Sequence, residues 1–166
     1  MAQEKILVID DELFVRELLQ EFLSKEGYRV SLAESGEKAI NLVKFNPVEI
    51  ALIDLKMPGM DGISTLKEIK KIAPDTIAII LTGYPTIETS IEALRSGAYD
   101  YVVKPFKLND LKNTIEKAIN EYRLKSEIGE LRGRIKSLED QLKEYQKMGR
   151  KLSSDKKIDQ TGSEKE

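Results

Sequence analysis

The sequence predicts an α/β fold, a five-stranded parallel sheet that is doubly wound, with an extended C-terminal helix. Three observations predict it. Five short, near-continuous apolar runs alternate with amphipathic stretches between residues 5 and 121. Runs of that kind are strands buried on both faces, and the stretches between them are the covering helices. Right-handed crossovers then restrict the topology to a doubly wound sheet. Beyond residue 122, apolar residues recur at alternating spacings of four and three, which continues the last helix.

The elements follow in order. Lys5 to Asp10 is a buried-strand run that stops at carboxylates. From Leu13 to Lys25 the residues Leu13, Phe14, Leu18, Leu19, Phe22 and Leu23 keep helical spacing, with Gly27 as a C-terminal stop. Arg29 to Ala33 is strand two. Ser35 caps a helix to Phe45, closed by Asn46-Pro47. Ile50 to Asp54 is strand three. Pro58 to Gly62 is turn-forming, and a helix follows to Ile72. Thr76 to Leu81 is strand four. Pro85-Thr86 opens a helix that reaches Arg95, with Gly97 beyond it. Tyr101 to Val103 is strand five, ended by Lys104-Pro105, and a last helix begins near Leu108.

Composition narrows the chemistry. The 166 residues contain no His and no Cys. That excludes a Cys or His nucleophile, a Ser-His-Asp triad, a Cys/His zinc site and a disulfide framework. Carboxylates, hydroxyls, amines or an oxygen-held metal must do any chemistry. No apolar run approaches the ~20 residues of a membrane span. The N-terminus lacks the basic flank and long apolar core of a secretory signal, so a cytoplasmic location is expected. Residues 1–121 hold 15 basic and 20 acidic side chains, a net of −5. Residues 122–166 hold 12 and 9, a net of +3, too evenly mixed in sign for a nucleic-acid arm. No direct nucleic-acid or membrane binding is expected.

In a doubly wound sheet, ligands sit beyond the carboxyl ends of the strands. Strand one ends in Asp10-Asp11, strand three in Asp54, strand four in Thr82 and strand five in Lys104. Each has an ordinary explanation alone: Asp11 as a helix cap, Thr82 as a turn residue, Lys104 as a solvated amine. Five such residues at one edge of one sheet are not explained that way. Three converging carboxylates repel unless a cation joins them. A hard divalent ion such as Mg²⁺ suits carboxylate and carbonyl oxygens with positions left for water and phosphate.

From Lys5 to Glu121 the chain resembles the receiver domain of two-component response regulators. The resemblance rests on Val8-Ile9-Asp10-Asp11-Glu12, the run Leu52-Ile53-Asp54-Leu55-Lys56-Met57-Pro58-Gly59-Met60-Asp61-Gly62, Leu81-Thr82-Gly83-Tyr84, Gly97-Ala98, and Tyr101-Val102-Val103-Lys104-Pro105-Phe106. It implies the flavodoxin-like strand order 2-1-3-4-5. It implies Asp54 as phosphoacceptor, with Asp10, Asp11, Asp54 and the Lys56 backbone carbonyl holding Mg²⁺. Thr82 and Lys104 would contact the phosphoryl group, Tyr101 would be the aromatic switch, and Lys104-Pro105 would be a cis peptide. Lys56 and Tyr84 occupy positions that influence how fast such an acyl phosphate hydrolyses. The partner so implied is a sensor histidine kinase or phosphotransfer protein. These 166 residues, having no His, cannot supply a phosphohistidine themselves. No enzymatic activity is expected beyond the chain's own phosphorylation and dephosphorylation.

The extension reads as a coiled coil over residues 122–152. Leu124, Leu131, Leu138 and Tyr145 fall at d, and Ile128, Ile135 and Leu142 at a. Ile at a with Leu at d favours a parallel dimer, and Glu127 with Arg132 and Arg134 with Glu139 suit g-to-e′ pairing. A homodimer is therefore expected. Residues 153–166 are polar and aperiodic and are expected to be disordered.

The function so predicted is a phosphorylation-dependent switch whose helix 4–strand 5–helix 5 face and coiled coil respond, acting on an output protein the sequence does not name. The alternative is the N-terminal regulatory part of a larger transcription activator. A haloacid-dehalogenase-like phosphatase would need a second Asp two positions after Asp54, where this chain has Lys56.

Overall fold

A computed structural model describes residues 3–161. Five strands and five helices alternate: β1 (Lys5–Ile9), α1 (Leu13–Lys25), β2 (Arg29–Ala33), α2 (Gly36–Phe45), β3 (Ile50–Asp54), α3 (Gly62–Ile72), β4 (Ile77–Thr82), α4 (Ile87–Arg95), β5 (Asp100–Val103) and α5 (Leu108–Thr161). All strand pairs are parallel, in the order β2-β1-β3-β4-β5. Ile53 stands opposite Ile9, and Asp54 opposite Leu81.

The central strands β3 and β4 are buried along their whole length. Successive side chains leave a strand on opposite faces, so each strand feeds two cores. Leu7, Ile9, Ile53 and Ile80 meet Val43, Leu66, Ile69 and Ala93 of α2, α3 and α4. Ile6, Val8, Leu52 and Ile79 meet Leu19, Leu23, Leu111 and Ile115 of α1 and α5. Fully burying each such aliphatic side chain contributes roughly 1.5–3 kcal/mol.

Local chemistry sets the helix starts. The Ser35 side chain accepts from the Lys38 amide, and the Asp61 side chain from the Ser64 amide. Thr86 and Thr89 cap each other reciprocally at α4. Gly27 and Gly97 follow α1 and α4 at φ +94° and +100°, a conformation that costs other residues a steric clash. Strand four is one residue later than its apolar run suggests. Thr76 stays outside the ladder: its backbone amide donates to the Ala73 carbonyl at 3.1 Å, and its hydroxyl donates to the Val48 carbonyl at 2.7 Å.

Two compact units divide the chain, residues 1–125 and 126–166. Burial along α5 stops at Tyr122, and every side chain from Arg123 to Asp159 is exposed. One expectation is corrected. Residues 153–161 continue the helix instead of forming a disordered tail; the rest of that predicted tail lies outside the described residues. A polar, aperiodic segment has no buried face, but Lys, Asp, Ser and Ile without Gly or Pro still allow helix propagation from a formed end. No described helix is long and apolar enough to cross a membrane.

Candidate functional site

The sheet brings the predicted strand-end residues to one crevice. Asp10 follows β1, and its backbone amide donates to the Ala33 carbonyl at 3.2 Å. Asp54 is the last residue of β3, the strand between β1 and β4, and stands opposite Leu81 of β4. Thr82 ends β4, and its carbonyl accepts from the Lys104 amide at 2.7 Å. Asp10, Asp54 and Thr82 are buried, whereas Asp11 is exposed at the mouth.

Lys104 joins the carboxylates. Its Nζ donates to Asp10 Oδ2 at 2.8 Å and lies 3.4 Å from Asp54 Oδ1. Asp10, Asp11 and Asp54 each offer a carboxylate oxygen, and those oxygens lie within 4.8 Å of one another. Burial pushes the Asp54 carboxyl up from 3.8 to about 6. The Asp10 charge adds to that rise, the Lys104 ammonium opposes part of it, and Asp11 adds a little more. Burial lowers the Lys104 pKa, but its hydrogen bond and attraction to Asp10, with help from Asp54, outweigh that and leave it raised. A single ammonium thus serves carboxylates that would otherwise repel. An all-oxygen donor set of three carboxylates is the chemistry a hard divalent cation requires, so the residues fit Mg²⁺.

Of the remaining predicted residues, Thr82 stands at the same edge and Tyr101 lies within β5. Thr82 Oγ1 accepts the Tyr84 amide at 3.1 Å, which fixes the turn after β4. Tyr101, in β5, is half-buried against the core under α4, and its hydroxyl is 2.9 Å from Thr89 Oγ1. Lys104-Pro105 is cis, as the resemblance implies. The seam residues Leu124, Ile128, Leu131, Ile135, Leu138, Leu142 and Tyr145 are all exposed on α5.

Several contributors were not visible in the sequence. Arg16 Nη1 donates to the Asp10 carbonyl at 2.7 Å and so ties α1 to the end of β1. Asp10 Oδ1 accepts the Glu12 amide at 2.9 Å, so Asp10, and not Asp11, satisfies the entry to α1. Lys56 Nζ sits 4.3 Å from the centre of the Tyr84 ring, a cation–π pair between the two positions the resemblance links to acyl-phosphate lifetime. Glu37 of α2 accepts the Met60 amide at 3.2 Å and steadies the loop after Asp54. No sequence spacing signals these contacts. On α4, Ile87, Ile91 and Leu94 form an exposed apolar stripe with helical spacing, and Val103 of β5 is exposed as well.

This fold and crevice define an α/β domain with an acidic pocket at the carboxyl edge of its sheet. The family model of the response regulator receiver domain matches residues 6–116, and the chain belongs to that family. It is the receiver domain of a two-component signalling system. Over 114 residues it is 44% identical to the transcriptional regulatory protein ZraR of Escherichia coli (strain K12), covering 69% of this chain and 26% of that protein. Sporulation initiation phosphotransferase F of Bacillus subtilis (strain 168) is 37% identical over 117 residues, 70% of this chain and 94% of that one. Among solved structures, the CheY-like receiver domain protein of Methanospirillum hungatei JF-1 superposes with a TM-score of 0.73 at 29% identity, covering 75% of this chain and 99% of that one. NtrX from Brucella abortus gives 0.73 at 34% identity, covering 78% and 30%. The matched region thus spans about a quarter of the ZraR protein, and nearly all of the phosphotransferase.

Proposed function

We propose that Asp54 accepts a phosphoryl group from the phosphohistidine of a sensor histidine kinase or phosphotransfer protein. The observation that carries this reading is the Lys104 ammonium shared between Asp10 and Asp54, with Asp11 beside them. Asp10, Asp11, Asp54 and the Lys56 carbonyl would hold Mg²⁺. When bound, the ion supplies positive charge to phosphate oxygens and offsets the repulsion of the carboxylates. An Asp54 oxygen forms the new P–O bond as the donor's P–N bond breaks, and the imidazole leaves. No general base is required, because the attacking carboxylate carries no proton when ionised. Lys104 turns from a carboxylate toward a phosphoryl oxygen, where charge builds in a loose transition state.

The product replaces one negative charge with about −1.5 to −2 and adds acceptor oxygens. Thr82 is the hydroxyl at the same sheet edge that those oxygens recruit, at the expense of its bond from the Tyr84 amide. Tyr101 then moves inward, and the face of α4, β5 and α5, with its exposed Ile87, Ile91, Leu94 and Val103, changes shape. A parallel coiled-coil dimer over residues 122–152 receives the change. An entirely exposed apolar seam on a single helix needs a partner, and a second copy supplies a matching one.

The test is acetyl phosphate labelling of the full chain. Label should appear with Mg²⁺, disappear with chelator and be absent in Asp54→Asn. Metal-independent labelling would overturn the cation assignment, and undiminished labelling of the variant would overturn the acceptor.

A second reading has its own support. ZraR and the E. coli regulatory protein AtoC are named as regulators, and this chain matches 26% and 28% of them. In that reading the chain is the regulatory part of a transcription activator, with the coil as the link to its output. The length of the gene product decides it.

A further inference from the structure

Gly62 opens α3 with no side chain, in a place where none would fit. A Cβ there would fall far inside contact distance of the Asp54 carbonyl oxygen, 2.8 Å from Leu55 Cα and 3.0 Å from the Asp54 carbonyl carbon. All three are backbone atoms, so no rotamer change relieves the clash. Gly62 is not among the glycines with positive φ, so space and not backbone conformation demands glycine. The close approach is also bonded, because the Gly62 amide donates to the Leu55 carbonyl at 2.8 Å.

The peptide that Gly62 touches is the one that carries the acceptor. On the β4 side that peptide is held: Asp54 is paired opposite Leu81, and the Leu55 amide donates to the Leu81 carbonyl at 3.1 Å. The first turn of α3 packs against the same Asp54–Leu55 backbone from a second direction. The turn is itself seated by Asp61, whose side chain accepts the Ser64 amide at 2.7 Å and whose carbonyl accepts the Thr65 hydroxyl at 2.8 Å. We propose that Gly62 is a positioning residue for phosphoryl transfer: its bare Cα lets α3 clamp the Asp54–Leu55 peptide and so fixes the aim of the Asp54 carboxylate and the Lys56 carbonyl. This rests on the reading of Asp54 as acceptor.

Gly27 provides a control. It lies between α1 and β2 at φ +94°, where a side chain strains the backbone but an added Cβ meets no atom within 4 Å. The experiment compares full-length wild type, Gly62→Ala, Gly27→Ala and Asp61→Ala, at a temperature where circular dichroism shows all four folded. Two quantities are read: the limiting rate of labelling by acetyl phosphate, and Mg²⁺ affinity by titration calorimetry without phosphodonor. Gly62→Ala should lose about tenfold or more in limiting rate, since an ångström of misplacement is costly in a positioned reaction. Its Mg²⁺ affinity should fall about tenfold, as for a lost support behind metal ligands. Gly27→Ala should melt earlier yet keep wild-type rate and affinity. If Gly62→Ala does not fold, Asp61→Ala decides, with a smaller loss of both quantities. Wild-type rate and affinity in a folded Gly62→Ala or Asp61→Ala, or an equal loss in Gly27→Ala, would overturn the proposal. A wild type that takes no label at Asp54 would overturn the acceptor reading and this one with it; a labelled wild type with an unaffected variant would overturn this one alone.

Discussion

The Tyr101 hydroxyl lies 2.9 Å from the Thr89 hydroxyl, and Thr89 is half of the reciprocal cap that starts α4. The half-buried ring of β5 is thereby bonded to the first turn of the neighbouring helix. The inward movement proposed for Tyr101 would break that bond and take a partner from the cap. Thr89→Ala should cost about 1 kcal/mol in stability, the usual loss for a cap. It should also speed amide exchange in residues 87–91 of the unphosphorylated protein. Beryllofluoride should produce the same speeding in wild type. Unchanged exchange in both would show that Tyr101 and α4 are not coupled.

The raised pKa of Asp54 makes stability pH-dependent in metal-free protein. The folded chain disfavours the ionised carboxylate. The associated stability is fully present below pH 3.8 and is lost as pH rises through about 6. The total loss is at most roughly 3 kcal/mol, from the pKa difference. Asp54→Asn should remove this dependence and exceed wild type in stability at pH 7 without Mg²⁺. Denaturant melts in chelator between pH 4 and 8 measure it. Parallel curves for the two proteins would contradict the assignment.

Lys104 balances the crevice, so its removal should be felt before any phosphoryl group arrives. Lys104→Ala leaves Asp10 and Asp54 facing each other without an ammonium, and should cost about 2 kcal/mol in metal-free protein. Added Mg²⁺ should recover most of that loss, because it replaces the missing positive charge. The melting temperature of the variant should therefore respond more steeply to Mg²⁺ than that of wild type. An equal response would mean that Lys104 carries little of the balance.

The proposed pairing of the exposed apolar residues on α5 predicts a concentration-dependent dimer. Ile135 and Leu138 are each 56% exposed in the single chain. Charge at either position cannot be buried without large cost. Ile135→Lys should weaken dimerisation by at least about a hundredfold, two to three kcal/mol, in sedimentation equilibrium, without changing acetyl phosphate labelling. A wild type that is monomeric at all concentrations would remove the coil from the account.

Strands and crevice were legible because they rest on local pattern. The run Ile50 to Asp54 is apolar on both faces up to its carboxylate, which marks both a central strand and the place where it opens to ligand. The continuation of α5 through Leu124 to Tyr145 was legible for the same reason, as apolar spacing along one helix. What the sequence hid lies between distant residues. Lys104 and Asp10 are 94 positions apart, and Lys56 meets Tyr84 only because β3 and β4 run side by side. Arg16 reaches the Asp10 carbonyl through a helical turn that no motif marks. The glycine at position 62 read as part of a turn, while its role depends on the backbone it abuts. Residues 153–161 were misread because polarity reports on burial and not on whether a helix ends.

The central claim is that Asp54 is the residue that takes the phosphoryl group. Borohydride reduces an aspartyl phosphate to homoserine, which marks the acceptor permanently. The full chain, treated with acetyl phosphate and Mg²⁺, then reduced and digested, should show homoserine at position 54 by peptide mass spectrometry, and none when Mg²⁺ is withheld. Homoserine at Asp10 or Asp11 with position 54 unmodified would contradict the account.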